Sequence, residues 1–306
     1  MFEFPTFLSI PLGDWINVAV DWLTRNLVVF FDIITIVIRQ PLVAVEHFLW
    51  WLPWWAVIII FTGVAWKIAG WKIALLSTIG LLFIGVMGLW DDTMTTLAIM
   101  VTSVVASILM GMPLGIICAK SDQFEASLRP VLDTMQTMPP FVYLIPAVFF
   151  FGLGKVPAVV ATCIYAIPPS IRLTNLGIRQ VAPEVVEAGK AFGSTARQLL
   201  FKIELPLAMP NIMAGVNQTI MMALAMVVLA SMIGAAGLGL EVLRGIERLD
   251  VGRGFIAGIS IVIVAIVLDR ITQAVGKARE PSRRDKVDER GHGLHSSPAY
   301  GIPSFL

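Results

Sequence analysis

A chain of 306 residues has room for two soluble domains, but 57% hydrophobic and 14% charged residues, with a mean hydropathy of +0.84, exclude that reading. They point instead to an all-α, polytopic helical membrane protein. The formal net charge of +1 provides no global basic field for nucleic acid, so the useful signal is where Lys and Arg lie along the chain.

The first residues carry no basic stretch followed by an apolar core and a cleavage site, so insertion is expected to use internal spans. Residues 1–50 mix apolar runs with Asp14, Asp21, Arg25, Asp32, Arg39 and Glu46, leaving no clean stretch of about 20 residues. They read as amphipathic helices lying at the membrane interface. A tilted span over 27–38 competes with that reading and would have to bury Asp32. Trp50, Trp51, Trp54 and Trp55 then gather around Pro53. An interfacial aromatic belt is the simpler explanation, and a cation–π box for a quaternary ammonium ligand is the sharper one.

Two accessory spans, 52–67 and 73–90, complete the region up to residue 92. The core over 93–276 holds five more, at 93–119, 139–152, 156–176, 211–234 and 255–275. Alternating spans put Lys67 with Lys72, Lys120 with Arg129, the basic residues of 172–202, and Lys277 with Lys286 on one side. The positive-inside rule makes that side cytoplasmic, with the C-terminus, and leaves Asp91, Asp92 and the N-terminus outside. Within the spans, Gly111-Met112-Pro113-Leu114-Gly115 and Pro168-Pro169 mark either a pathway-lining, moving segment or close helix packing. Cys118 and Cys163 fall in apolar runs, as small packing residues do, and give neither a disulfide nor a metal pair. Asn217, Gln218 and Thr219 interrupt an apolar span, where polar groups line a translocation path or bond between helices. Tyr165, Ser170 and Ser103 are weaker candidates for the same cavity. Asp269 and Arg270 read as an interfacial pair that snorkels toward water.

The most specific stretch lies between the fifth and sixth spans, at 183–206. Pro183 suits a first helical turn, Gly193 interrupts the helix, Ser194 is placed to cap a second one, and Pro206 is placed to stop it. Glu187-Ala188-Gly189, three residues, Gly193, nine residues, then Ile203-Glu204-Leu205-Pro206 resembles the EAA loop of ABC importer permeases. Only Gly189 departs, standing where that pattern has its second alanine. An ordinary solvated hairpin between two spans is the plain alternative. The resemblance implies a type I importer transmembrane fold and makes 183–206 the cytoplasmic coupling element, with Glu187, Ala188, Gly189, Gly193, Ile203, Leu205 and Pro206 carrying ATPase coupling. The threonine-rich opening at Thr93 followed by G-x-P-x-G is similar to the same permease domain. The runs 205–219 and 228–246 look like the glycine betaine/proline betaine permeases of osmoprotectant uptake.

No G-x-x-x-x-G-K-[ST] loop occurs, since the Gly-Lys pairs at 154, 189 and 276 lack the upstream glycine and the following hydroxyl. ATP hydrolysis, with its magnesium ion, is therefore expected on a separate subunit, and no cofactor or metal on this chain. The resemblance implies an ATPase dimer, an external solute-binding protein and a second copy of the chain as partners in a bacterial inner membrane. Another small solute such as choline, taurine or methionine keeps the class and changes the cargo. An ion-coupled secondary transporter would require intramembrane carboxylates and inverted repeats, neither of which stands out. Residues 277–306 are charged, then rich in Gly, Ser and Pro, and read as a flexible cytoplasmic tail in which His292 and His295 are solvated.

Overall fold

The computed structural model describes residues 11–278, and these are helical with no strand among them. The helices α1 (Leu12–Asn26) and α2 (Val28–Trp51) come first. α1 buries nothing and exposes Trp15, Ile16, Val18 and Trp22, as an interfacial helix does. Where the sequence points to interfacial helices through residue 48, α2 is one continuous 24-residue helix with the length and hydropathy of a span. Its register on the core is set by two contacts. Phe31 stacks on Phe150 with centroids 4.5 Å apart, and the carboxylate of Glu46 pairs with Lys155. Those two residues of α2 are about 22 Å apart along the helix axis, yet their partners flank a single tight turn. α2 packs chiefly along α5 and touches α7 and α8.

α3 (Trp54–Ala69) and α4 (Trp71–Val86) form a hairpin turned by Gly70 at φ 92 and joined by a Thr62–Thr78 hydroxyl bond of 2.8 Å. Each has 16 residues, about 24 Å, which is short for a roughly 30 Å hydrocarbon core. Trp54 and Trp55 are exposed at one end of α3, and Trp66 and Trp71 at the other, the arrangement of aromatic belts at two interfaces.

The core is built on α5 (Trp90–Lys120), α8 (Lys155–Arg179), α11 (Leu205–Leu229) and α13 (Val251–Ala278). α5, α8 and α11 pack closely because small residues face each other. A methyl added at Gly115 would lie 2.7 Å from the Ile171 carbonyl oxygen, and one at Gly111 would lie 2.8 Å from Ser170. The G-x-P-x-G run thus serves close packing against α8, and α5 continues unbroken through Pro113. Cys163 is buried, and its carbonyl oxygen accepts from the Ser107 hydroxyl of α5 at 3.2 Å.

One expected span is broken and not a single helix. Residues 139–152 form a short 3-10 turn, Pro140–Tyr143, and the eight-residue α7 (Leu144–Phe151). Together they reach about 18 Å, too short to cross a bilayer alone. They bend by 110° from the amphipathic α6 (Asp122–Thr137). Two ion pairs staple α6 to α8, Arg172–Asp133 at 2.5 Å and Arg179–Asp122 at 2.7 Å. Among the described residues five helices are long and apolar enough to cross a membrane. At the far end of α11, a short 3-10 turn leads to α12 (Leu238–Glu247), which packs on the start of α13. Buried Glu241 fastens this corner by accepting from Arg244 at 2.5 Å and from the Arg253 Nε at 2.6 Å.

Candidate coupling site

Pro183 occupies the first turn of α9 (Pro183–Ala191), where its missing N–H costs nothing. The helix ends where Gly193 takes φ 78 and donates to the Lys190 carbonyl at 2.9 Å, while the Ser194 N–H reaches back to Gly189 at 3.1 Å. The second helix, α10 (Ala196–Leu199), is capped by Thr195 and not by Ser194. Thr195 and Gln198 exchange bonds in a capping box, with the Thr195 N–H donating to Gln198 Oε1 at 2.9 Å.

α10 runs directly into a π-turn over Leu200–Glu204, and α9 folds back on that turn. Gly189 sits buried at the crossing, where an added methyl would lie 2.6 Å from Ile203 Cδ1 and 2.9 Å from Leu199 Cδ1. The departure from the EAA pattern thus has a local reason. Ile203 is half-buried beneath it. Glu187 and Ala188 point outward with Glu184, Val185 and Lys190, and Phe192 is 91% exposed. The hairpin offers a small-residue face, an acidic group and one bare aromatic ring, features suited to insertion into a protein groove.

Pro206 does not stop the second helix. The π-turn bonds Leu205 N–H to Leu200 O, five residues back, and the chain runs helical from Ala196 to Ile233, 38 residues. Proline has no N–H and crowds the carbonyl four residues earlier, and the widened turn just ahead of it accommodates both effects. Leu200 and Leu205, with Ala208 and Ile212 of the same rod, pack against Ile178 of α8 and Met112, Ile116 and Ala119 of α5. At the same level the buried carboxylate of Glu204 pairs with Lys120 at the end of α5. Sequence reasoning missed this pair, because Glu204 fills the unspecified position of I-x-L-P. A carboxylate inside an otherwise apolar run was the available signal.

The structure separates the six path candidates, of which Ser170 is buried on α8 against Gly111. Ser103 is fully buried and donates to Ile99 O within its own helix, and Thr219 is fully buried with no partner for its hydroxyl. Neither reaches an accessible surface within the single chain. Asn217 bridges α11 and α13, donating to Asp269 Oδ1 at 3.3 Å and accepting from the Thr272 hydroxyl at 2.5 Å. Asp269 also accepts from Gln273 of its own helix at 2.8 Å, so its side-chain partners are Asn217 across the gap between helices and Gln273 one turn on, and not Arg270. Tyr165 is half-buried, edge-on to Tyr143 at 5.8 Å. Gln218 alone lies on an exposed stripe of α11, with Leu207, Ala214, Met221 and Ala225.

Burial raises the Glu241 carboxyl but is outweighed by the hydrogen bonds from Arg253 and Arg244, which hold it below its ordinary value. The α12 corner therefore keeps its charge at neutral pH. Among the described residues no group of three or more His, Cys, Asp or Glu side chains is placed to hold a metal ion.

The chain is 48% identical over 268 residues to the glycine betaine/proline betaine transport system permease protein ProW of Escherichia coli (strain K12), covering 88% of this chain and 76% of that protein. It is 50% identical over 280 residues to the glycine betaine/carnitine transport permease protein GbuB of Listeria monocytogenes serotype 1/2a (strain 10403S), covering 89% of this chain and 98% of that one. Its fold is shared with the inward-facing MetNI methionine ABC transporter, at a TM-score of 0.57 and 18% identity over 60% of this chain and 93% of that one. Residues 111–281 match the family described as binding-protein-dependent transport system inner membrane component. With this match, and with close relatives covering most of its length, the chain belongs to that family of transport permeases.

Proposed function

We propose that this chain is the membrane-spanning subunit of an ATP-driven importer for compatible solutes of the glycine betaine and proline betaine class. Similarity of about one residue in two to permeases named for those solutes supports the cargo. The observation that carries the mechanism is the exposed face of α9, mounted on a helical rod that runs into the core. Two copies of the chain form the path, and an ATPase subunit docks on each hairpin at the cytoplasmic end, with ATP and its magnesium ion bound there. A solute-binding protein delivers cargo at the opposite end, where α1 and α2 lie on the outer side. Closure of the ATPase dimer draws the two hairpins together, and rigid-body motion of the helices exchanges inward and outward access. The accessible amide of Gln218 and the edge of Tyr165 are the path-lining groups. A path with few fixed charges suits a zwitterion that carries no net charge.

Co-reconstitution with the ATPase and binding protein in liposomes tests this reading. Uptake of labelled glycine betaine is expected only with ATP inside the ATPase compartment and binding protein on the other face. Uptake that proceeds without either component would overturn it.

A further inference from the structure

The mechanical isolation of the hairpin raises the question of how its motion reaches α5. α9 packs chiefly on the π-turn and α10, and α10 in turn on the π-turn, so a force on α9 enters the rod at Leu200–Glu204. That is also the most compliant point of the rod, because the π-turn departs from the regular ladder and Pro206 contributes no N–H. α5 packs extensively on α8 and also meets the rod directly, with Met112, Ile116 and Ala119 in the same apolar cluster as Leu200 and Leu205. Glu204 contacts Lys120 at this point, and its carboxylate is 7% exposed with no other hydrogen-bond partner among the described residues. Lys120 stands in the last turn of α5, where the helix dipole favours a cation.

We infer that the Glu204–Lys120 pair is the transmission contact of the subunit: it braces the π-turn and ties α5 to the coupling hairpin, so that α5 and α11 move together when the ATPase closes. Both are positioning residues acting at a distance from cargo and nucleotide. The inference rests on the coupling role of α9 proposed above. A buried carboxylate tied to one cation binds in a specific direction, whereas apolar contacts at the same level would let the two helices slide. The other ion pairs at this end, Arg172–Asp133 and Arg179–Asp122, join α6 to α8 and leave the hairpin untouched.

The test uses the complete transporter in liposomes, measuring ATPase association, ATP hydrolysis and betaine uptake on the same sample. Glu204→Gln keeps shape and removes the charge. It is expected to retain association and hydrolysis while ATP consumed per solute moved rises about tenfold. The reciprocal Lys120→Glu, Glu204→Lys double variant is expected to restore the wild-type ratio, which a merely structural role for either residue would not produce. Glu187→Lys on the outer face of α9 serves as the docking control and is expected to lose association outright. An unchanged ratio in Glu204→Gln overturns the inference, as does loss of uptake in proportion to lost association, or assembled single variants that the double variant fails to rescue. If the wild-type chain does not associate with the ATPase, or Glu187→Lys associates normally, the docking reading itself falls instead.

Discussion

At Gly189 the absence of one methyl group sets how closely two helices approach. The atoms an added Cβ would meet, Ile203 Cδ1 and Leu199 Cδ1, are the ends of flexible side chains. Gly189→Ala is therefore expected to be accommodated, with about 1 kcal/mol of helix propensity offsetting the shift of those methyl groups. Melting temperature within about 3 °C of wild type and normal ATPase association would show this. Gly193 is different: it has open space around it but a left-handed backbone. Gly193→Val forces a β-branched residue into φ 78, costs roughly 2 kcal/mol or more, and is expected to abolish association and uptake while insertion stays intact. Thr219 supplies a third contrast. Its hydroxyl is buried without a partner, so Thr219→Val removes an unsatisfied group and is expected to raise the melting temperature by about 2 °C with uptake unchanged. A loss of uptake would mean that the residue lines the path after all. Gly193 was legible in the sequence because a helix end needs it locally. Gly189 was not, because the side chains it meets lie ten and fourteen residues further along the chain.

Among the elements, long apolar runs were readable and their interruptions were not. α5, α8, α11 and α13 stand close to where hydropathy places them, because each is a single apolar stretch bounded by charge or glycine. Residues 139–152 are apolar but do not form one helix, because Pro139-Pro140 turns the chain and leaves a bent pair with α6 in place of a continuous span. Pro206 misled in the opposite direction, since a π-turn upstream lets the helix continue. The corner of α12 shows chemistry that spacing could not reveal, because Arg253 belongs to the next helix. Glu241 is depressed in the folded protein, so its stabilising contribution is complete above the ordinary carboxylate value of 4.5 and is lost as pH falls through its lower folded value. Glu241→Gln is expected to lower the melting temperature by about 5 °C at pH 7, with the difference closing as pH falls below 4.5 and through the lower folded value. A pH-independent difference would mean that shape, and not charge, holds the corner.

On the scale of the whole subunit, the EAA spacing and the distribution of basic residues told more than any single span. They set the hairpin apart as one end of the molecule, and the structure carries that hairpin at the end of α5 marked by Lys120. The opposite end carries the pairs Glu46–Lys155 and Glu241 with its two arginines. The rod from Ala196 to Ile233 joins the two ends. At 38 residues it is about 57 Å long, so a tilt of only about 5° about the hairpin displaces its other tip by roughly 5 Å. That tip holds the Ile233 carbonyl, which accepts from Gly154 N–H at 3.0 Å in the turn between α7 and α8. On the coupling role proposed above, a lever of this length would turn a small angular motion of the hairpin into an opening wide enough for a small zwitterion, with the largest displacement at the turn farthest from the hairpin.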